Sequence, residues 1–269
     1  MCIRDRFLDG VMQEFLERAK YLKGFEKSIN SAIKGRPLGL GALGFHTYLQ
    51  SKNIPLTGRE ALQLNSQIFA NIKRQAVSAS QDMAVELGEP EWCKGTGMRN
   101  THVLAIAPTG TNSRIAGFVS PGIEPITANA YMDRTGKGSF DFKNKVLEKR
   151  LEELGKNTKE VWKSIVTNEG SVQHLDFLSE KDKEVFLTAR EINQLHLVRL
   201  AAGRQYYIDQ GQSLNLFFPA NVDAKYFHKV HVEAWQLGVK TLYYCRSSSV
   251  LKSDTASRYY DEECKSCEG

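Results

Sequence analysis

The chain has 269 residues, 41% hydrophobic and 25% charged, enough to bury a substantial core with an ordinary globular balance. Lys and Arg number 36 against 31 Asp and Glu, a net charge of +5 with no basic stripe interleaved with aromatics, which argues against nucleic-acid binding. No apolar run approaches the roughly 20 residues that span a bilayer, so a soluble, cytoplasmic protein without membrane attachment is expected. In chain order, apolar spacing predicts helices over residues 7–19 and 25–33, the second stopped at Gly35. A short extended entry at 38–40 follows, then helices over 43–50 and 58–87, the latter ending at Gly88. Residues 89–100 read as loop and 103–107, VLAIA, as a buried strand. Further helices are expected over 142–154, 158–166 and 180–209, the last with a break near Gly203. A strand at 213–218 ended by Pro219, a helix over 224–237, a strand at 241–245 and a tail from Ser247 complete the reading. Strands alternating with helices predict parallel α/β layering in a helix-rich chain.

Residues 1–6, MCIRDR, resemble translated sequencing-adapter sequence and are set aside as non-native; 7–246 form the expected body and 247–269 a flexible redox tail. Gly39, Gly41 and Gly44 match G-x-G-x-x-G, but Gly35, Arg36 and Pro37 precede them where a hydrophobic strand is required. Close packing of a helix on a strand explains these glycines better than a nucleotide cofactor. His228, His231 and Glu233 share a predicted helix, yet they offer too few ligands for a metal, and a half-buried helix face is the better account. No metal site is expected.

Three features carry chemistry. Thr109, Gly110, Thr111, Asn112 and Ser113 follow the buried strand at 103–107 and open a helix. Hydroxyls, an amide and unpaired N–H groups there suit a phosphate cradle, and the same residues also suit an ordinary hydrogen-bonded turn. Tyr243 and Tyr244 are adjacent on a predicted strand, where neighbours face opposite ways; the two phenols can act together only if the backbone departs from an ideal strand. Cys264 and Cys267 sit two residues apart in the acidic tail. Without a second pair, zinc is a poor fit, and exposed thiols exchange readily, so a redox dithiol is the strongest reading. Five cysteines without an evenly spaced framework suit a reducing compartment.

Five blocks, RPLGLGALGFHTYLQ, RNTHVLAIAPTGTNSRIAGFVSPGIEP, DQGQSLNLFFPANVD, KTLYYCRS and the closing ECKSC, together resemble the C-terminal part of the class I ribonucleotide reductase large subunit. The resemblance implies the C-terminal part of a ten-stranded α/β barrel and the radical-based reduction of ribonucleotides to deoxyribonucleotides. It implies that Thr109 to Ser113 bind substrate phosphates and that Tyr243 and Tyr244 pass a radical from a small, metal-containing subunit to a thiyl cysteine. It gives Cys264 and Cys267 the role of tail thiols that reduce an active-site disulfide and are reset by a thioredoxin or glutaredoxin. It implies a large-subunit homodimer and no cofactor bound by this stretch itself. The family's N-x-C-x-E loop does not occur in the sequence, so this stretch alone is expected to be inactive. A cobalamin-dependent class II reductase is the rival; it shares the P-T-G-T loop and tail thiols but needs no tyrosine relay from a partner. A non-catalytic redox or phosphate-binding module is the second rival.

Overall fold

The computed structural model describes residues 2–135 and 138–247. Ten α-helices are found among these residues. The first four are α1 (Cys2–Ala19), α2 (Glu26–Gly35), α3 (Phe45–Ser51) and α4 (Arg59–Leu87). A short 3-10 turn at Glu91–Cys93 precedes α5 (Gly110–Ile115). Strands β1 (Ala130–Thr135) and β2 (Gly138–Lys143) come next, then α6 (Lys145–Glu153), α7 (Lys159–Thr167), α8 (Glu180–Val185) and α9 (Gln194–Gln205). Strand β3 (Leu216–Phe218), α10 (Ala224–Gln236) and β4 (Cys245–Ser247) complete the order.

The centre is a layer of four parallel extended segments. Residues 38–40 bond to 102–105 through Leu38 N to His102 O and Leu40 N to Val103 O, 2.9 and 2.8 Å. Ile106 bridges Gln212 in parallel, and β3 pairs with β4 in parallel with Leu216 opposite Cys245. The parallel α/β expectation therefore holds, but the strands are shorter than their apolar runs predicted. Side chains replace ladder partners: Asp209 accepts from Val103 N and Leu104 N, and Gln212 N donates to Thr241 Oγ1 at 2.9 Å.

Helices flank this layer, α4 through one buried stripe and α9 with most of its residues buried. On α4, Ala61, Asn65, Phe69, Ala76, Ser80 and Met83 are buried at helical spacing, and Gly88, with φ 83°, ends the helix as its sequence position predicts. The main core joins Phe45, Leu49, Phe69, Leu200, Phe218 and Val230 from α3, α4, α9, β3 and α10. Arg204 lies inside it, 1% exposed, bonded to Asn65 and Gln212, and burial alone pushes its guanidinium down to about 9. A second core gathers Leu147, Leu151, Trp162, Ile165, Leu178 and Val185 around α6, α7 and α8. Asn144, Thr158, Ser179, Asn193 and Asp223 cap α6 to α10 in turn, each accepting backbone N–H groups.

Two expectations are corrected. Residues 142–143 end an antiparallel hairpin, Ala130 opposite Lys143, and α6 starts only after its cap Asn144. The stretch 180–209 is two helices, because Thr188 gives both its N–H and its hydroxyl to Glu191, forming a turn, and Asn193 then caps α9. Gly203 lies within α9 and breaks nothing. α1 runs from Cys2 with Arg6 paired to Glu86 and Asp5 buried, neither carboxylate oxygen of Asp5 finding a hydrogen-bond partner among the described residues. Among the described residues no helix is long and apolar enough to cross a membrane.

Candidate active site

The glycines of 39–44 serve packing. A Cβ on Gly41 would lie 2.7 Å from Ala105 O, so only glycine lets this segment run against the neighbouring extended chain, and Gly44, φ 80°, turns the chain into α3. On α10, His231 Nδ1 contacts Phe227 O and Glu233 is taken by Arg199 at 2.8 Å, as a half-buried face requires. No group of three or more His, Cys, Asp or Glu among the described residues could hold a metal.

The loop after 103–106 enters α5 at the C-terminal end of a parallel segment, the position at which α/β folds present ligands. Its five residues divide. Thr109, with φ 41°, accepts Gly122 N on its hydroxyl at 2.8 Å, and buried Ser113 donates its hydroxyl to Gly110 O at 2.9 Å. These two side chains hold the loop's shape. Gly110, Thr111 and Asn112 are exposed, and the N–H groups of a first helical turn have no intrahelical acceptor. A cavity of about 170 Å³, lined by Gly110, Ser113, Phe118, Tyr131 and Phe142, lies between this loop and the β1–β2 hairpin. The sequence reading missed that hairpin, although Phe140 and Phe142 alternate with polar residues where a helix was expected to start.

Tyr243 and Tyr244 do depart from an ideal strand. Tyr243 N bonds Leu214 O at 2.9 Å, and an unbroken parallel ladder would next bond Leu216 N to Tyr243 O. Leu216 N bonds Tyr244 O instead, also at 2.9 Å, so one extra residue is inserted and both tyrosines stand opposite Asn215. This bulge brings the two rings to 4.1 Å between centroids, tilted by 51°. Each residue is about half exposed, at 48% and 55%. The Tyr244 hydroxyl, by hydrogen bonding and then by charge, pushes the Tyr243 phenol above its ordinary value. The Arg246 guanidinium lies 5.4 Å over the Tyr244 ring.

Two residues that the sequence did not single out connect these parts. Glu124 is 6% exposed; its Oε1 accepts Asn215 N at 2.7 Å and its Oε2 accepts Asn215 Nδ2 at 3.0 Å. Asn215 Oδ1 in turn accepts Tyr244 N at 3.1 Å. Burial pushes the Glu124 carboxyl above the usual range, and the Asn215 bonds and the Arg246 charge reduce that rise without cancelling it. Glu124 lies two residues past Gly122, the residue bonded to Thr109, so a single tripeptide touches both the loop and the tyrosine pair. Cys264 and Cys267 lie outside the described residues.

Comparison with known proteins places this geometry. The model of the ribonucleotide reductase barrel domain matches residues 10–96 and 90–245. The large subunit of ribonucleoside-diphosphate reductase from Invertebrate iridescent virus 3 is 42% identical over 273 residues, covering 98% of this chain and 43% of that protein. The same subunit from Invertebrate iridescent virus 6 is 43% identical over 254 residues, 93% of this chain and 26% of that protein. The solved alpha subunit of the Actinobacillus ureae class Id ribonucleotide reductase superposes with a TM-score of 0.86 at 43% identity, over 94% of this chain and 47% of that one. The chain thus spans less than half the length of these relatives. With its parallel layer, loop and bulged tyrosine pair, the chain belongs to the ribonucleotide reductase barrel-domain family.

Proposed function

We propose that this chain is part of the large subunit of a ribonucleoside-diphosphate reductase, acting in the cytoplasm on ribonucleotides with a radical-generating small subunit. Its loop holds the substrate phosphates: the free N–H groups of the first turn of α5, with Thr111 and Asn112, donate to phosphate oxygens, while Thr109 and Ser113 keep the loop in shape. Tyr243 and Tyr244 carry the oxidising equivalent. A phenol with a pKa near 10 is neutral at rest, so each must lose its proton as it loses its electron, and a neighbouring phenol is a ready partner for both. The equivalent ends on a cysteine of the whole subunit, whose thiyl radical removes the sugar 3′ hydrogen before the 2′ hydroxyl leaves as water. A cysteine pair there supplies two electrons and becomes a disulfide. Cys264 and Cys267 reduce that disulfide by exchange through a mixed disulfide, and a thioredoxin or glutaredoxin reduces them in turn. The large subunit works as a homodimer.

The observation that carries this reading is the bulge that sets two adjacent phenols 4.1 Å apart, an arrangement that an ordinary strand does not allow. It also favours a class I enzyme over the cobalamin-dependent rival, as do relatives named ribonucleoside-diphosphate reductase. The test is Tyr243→Phe in the large subunit assembled with its small subunit. Turnover is expected to fall to background with nucleotide affinity unchanged; normal turnover would remove the relay.

A further inference from the structure

We propose that Glu124 and Asn215 are positioning residues that lock the bulge at Tyr243 and Tyr244 and so hold the two phenols side by side. The functional consequence rests on the relay reading above, whereas the geometry stands by itself.

A bulge leaves its extra residue without a ladder partner. Here that residue's N–H, Tyr244 N, is accepted by Asn215 Oδ1 at 3.1 Å. An Asn amide offers an acceptor at one end and two donors at the other, so the acceptor faces Tyr244 only if something fixes the opposite end. Glu124 does so. Both of its oxygens accept, from Asn215 N at 2.7 Å and Asn215 Nδ2 at 3.0 Å, and an ionised carboxylate cannot tolerate the flipped amide, which would turn oxygen toward it. A carboxylate in this place is otherwise a poor choice. It is buried, its bonds run to one neutral residue, and burial keeps its carboxyl above the usual range despite Arg246 nearby. Its use is to specify a direction, because an ionised carboxylate accepts and does not donate.

The same polarity allows the two groups to be swapped. In Glu124→Gln the new NH₂ faces the Asn215 NH₂. If the Asn215 amide flips to relieve this, its NH₂ meets Tyr244 N–H, so one donor is unpaired in either arrangement. In Asn215→Asp two carboxylates oppose each other. In the double variant the oxygen of the introduced glutamine amide accepts the backbone N–H of residue 215, while its NH₂ donates to one oxygen of the introduced carboxylate. The other oxygen of that carboxylate accepts Tyr244 N. Every group is again satisfied, and the net charge is unchanged.

The experiment places 3-fluorotyrosine at position 243 of the full large subunit and follows its ¹⁹F shift and phenol titration, alongside holoenzyme turnover. Wild type is expected to titrate above the unfolded protein. Each single variant should fall toward the unfolded value and lose about tenfold in turnover, Glu124→Gln through one unpaired buried donor and Asn215→Asp through two opposed carboxylates. The double variant should regain both the titration and the turnover. Unchanged fluorine signals in a folded Glu124→Gln protein, or a folded double variant that stays shifted, would overturn the proposal. Should Asn215→Asp fail to fold, Glu124→Gln and the double variant decide. Fluorine signals that follow the swap while turnover ignores it would support the positioning role and count against the relay reading alone.

Discussion

Asp9 and Glu124 are both buried carboxylates, one on the α1 flank and one beside the tyrosine pair, and they are held in opposite ways. Burial pushes Asp9 up, but hydrogen bonds from Arg36 and Arg99 and then their charges outweigh it and hold the carboxyl below the usual range. Arg36 meets it at 2.8 Å with 6% of each side chain exposed, and Asn100 adds a bond at 3.1 Å. Among the described residues Glu124 meets Asn215 and a more distant Arg246, and burial wins. The first carboxylate ties α1 to the start of the parallel layer; the second costs stability and fixes an amide. A charge with cations around it belongs to the scaffold, whereas a charge kept without them points to a geometry that the fold would not adopt unaided.

The largest expected effect lies on the flank. Arg36→Met, which leaves Asp9 with Arg99 as its remaining cation, should cost about 3 kcal/mol in denaturant unfolding, and Arg36→Met with Asp9→Leu should recover most of it, because the loss comes from a buried charge stripped of its nearer cation. The two carboxylates should also pull stability in opposite directions with pH. Asp9 titrates below its ordinary 3.8 in the folded state, so its contribution is present above that pH and is lost as pH falls through the folded value. Glu124 titrates above its ordinary 4.5, so the folded state holds its proton longer and stability declines as pH rises from 4.5 through the folded value. Stability curves against pH for Asp9→Asn and Glu124→Gln should flatten the acid limb and the rising-pH decline respectively; the reverse assignment would break the contrast. The smallest effect belongs to Thr111→Val on the exposed loop. It should weaken nucleoside diphosphate binding in calorimetry by about 1 kcal/mol and leave the unfolding free energy within about 0.5 kcal/mol of wild type.

How far the sequence could be read follows from where each partner lies. The long helices were legible because their apolar stripe is local: α4 and α10 fall within a residue or two of their expected bounds. The parallel layer was legible as to kind but not extent, because Asp209, Thr241 and Asn215 supply ladder partners from side chains, which no periodicity records. The break before α9 depends on a Thr188 to Glu191 turn inside an otherwise helical pattern. In the site, Thr109 to Ser113 announced themselves by hydroxyls and glycine beside an apolar run, but the division between shape-holding and exposed members needed Gly122 in place. The sequence implied that adjacent phenols require a backbone departure. It could not say what enforces one, since Glu124 and Asn215 are 91 residues apart.

The claim at the centre is that the bulged tyrosine pair conducts a radical. Replacing Tyr244 by 3-aminotyrosine, a more easily oxidised phenol, makes that position a trap. On mixing with the small subunit and nucleotide substrate, electron paramagnetic resonance should reveal an aminotyrosyl radical growing as the small subunit's own radical declines. A holoenzyme that keeps its small-subunit radical and shows no aminotyrosyl signal under those conditions would contradict the account.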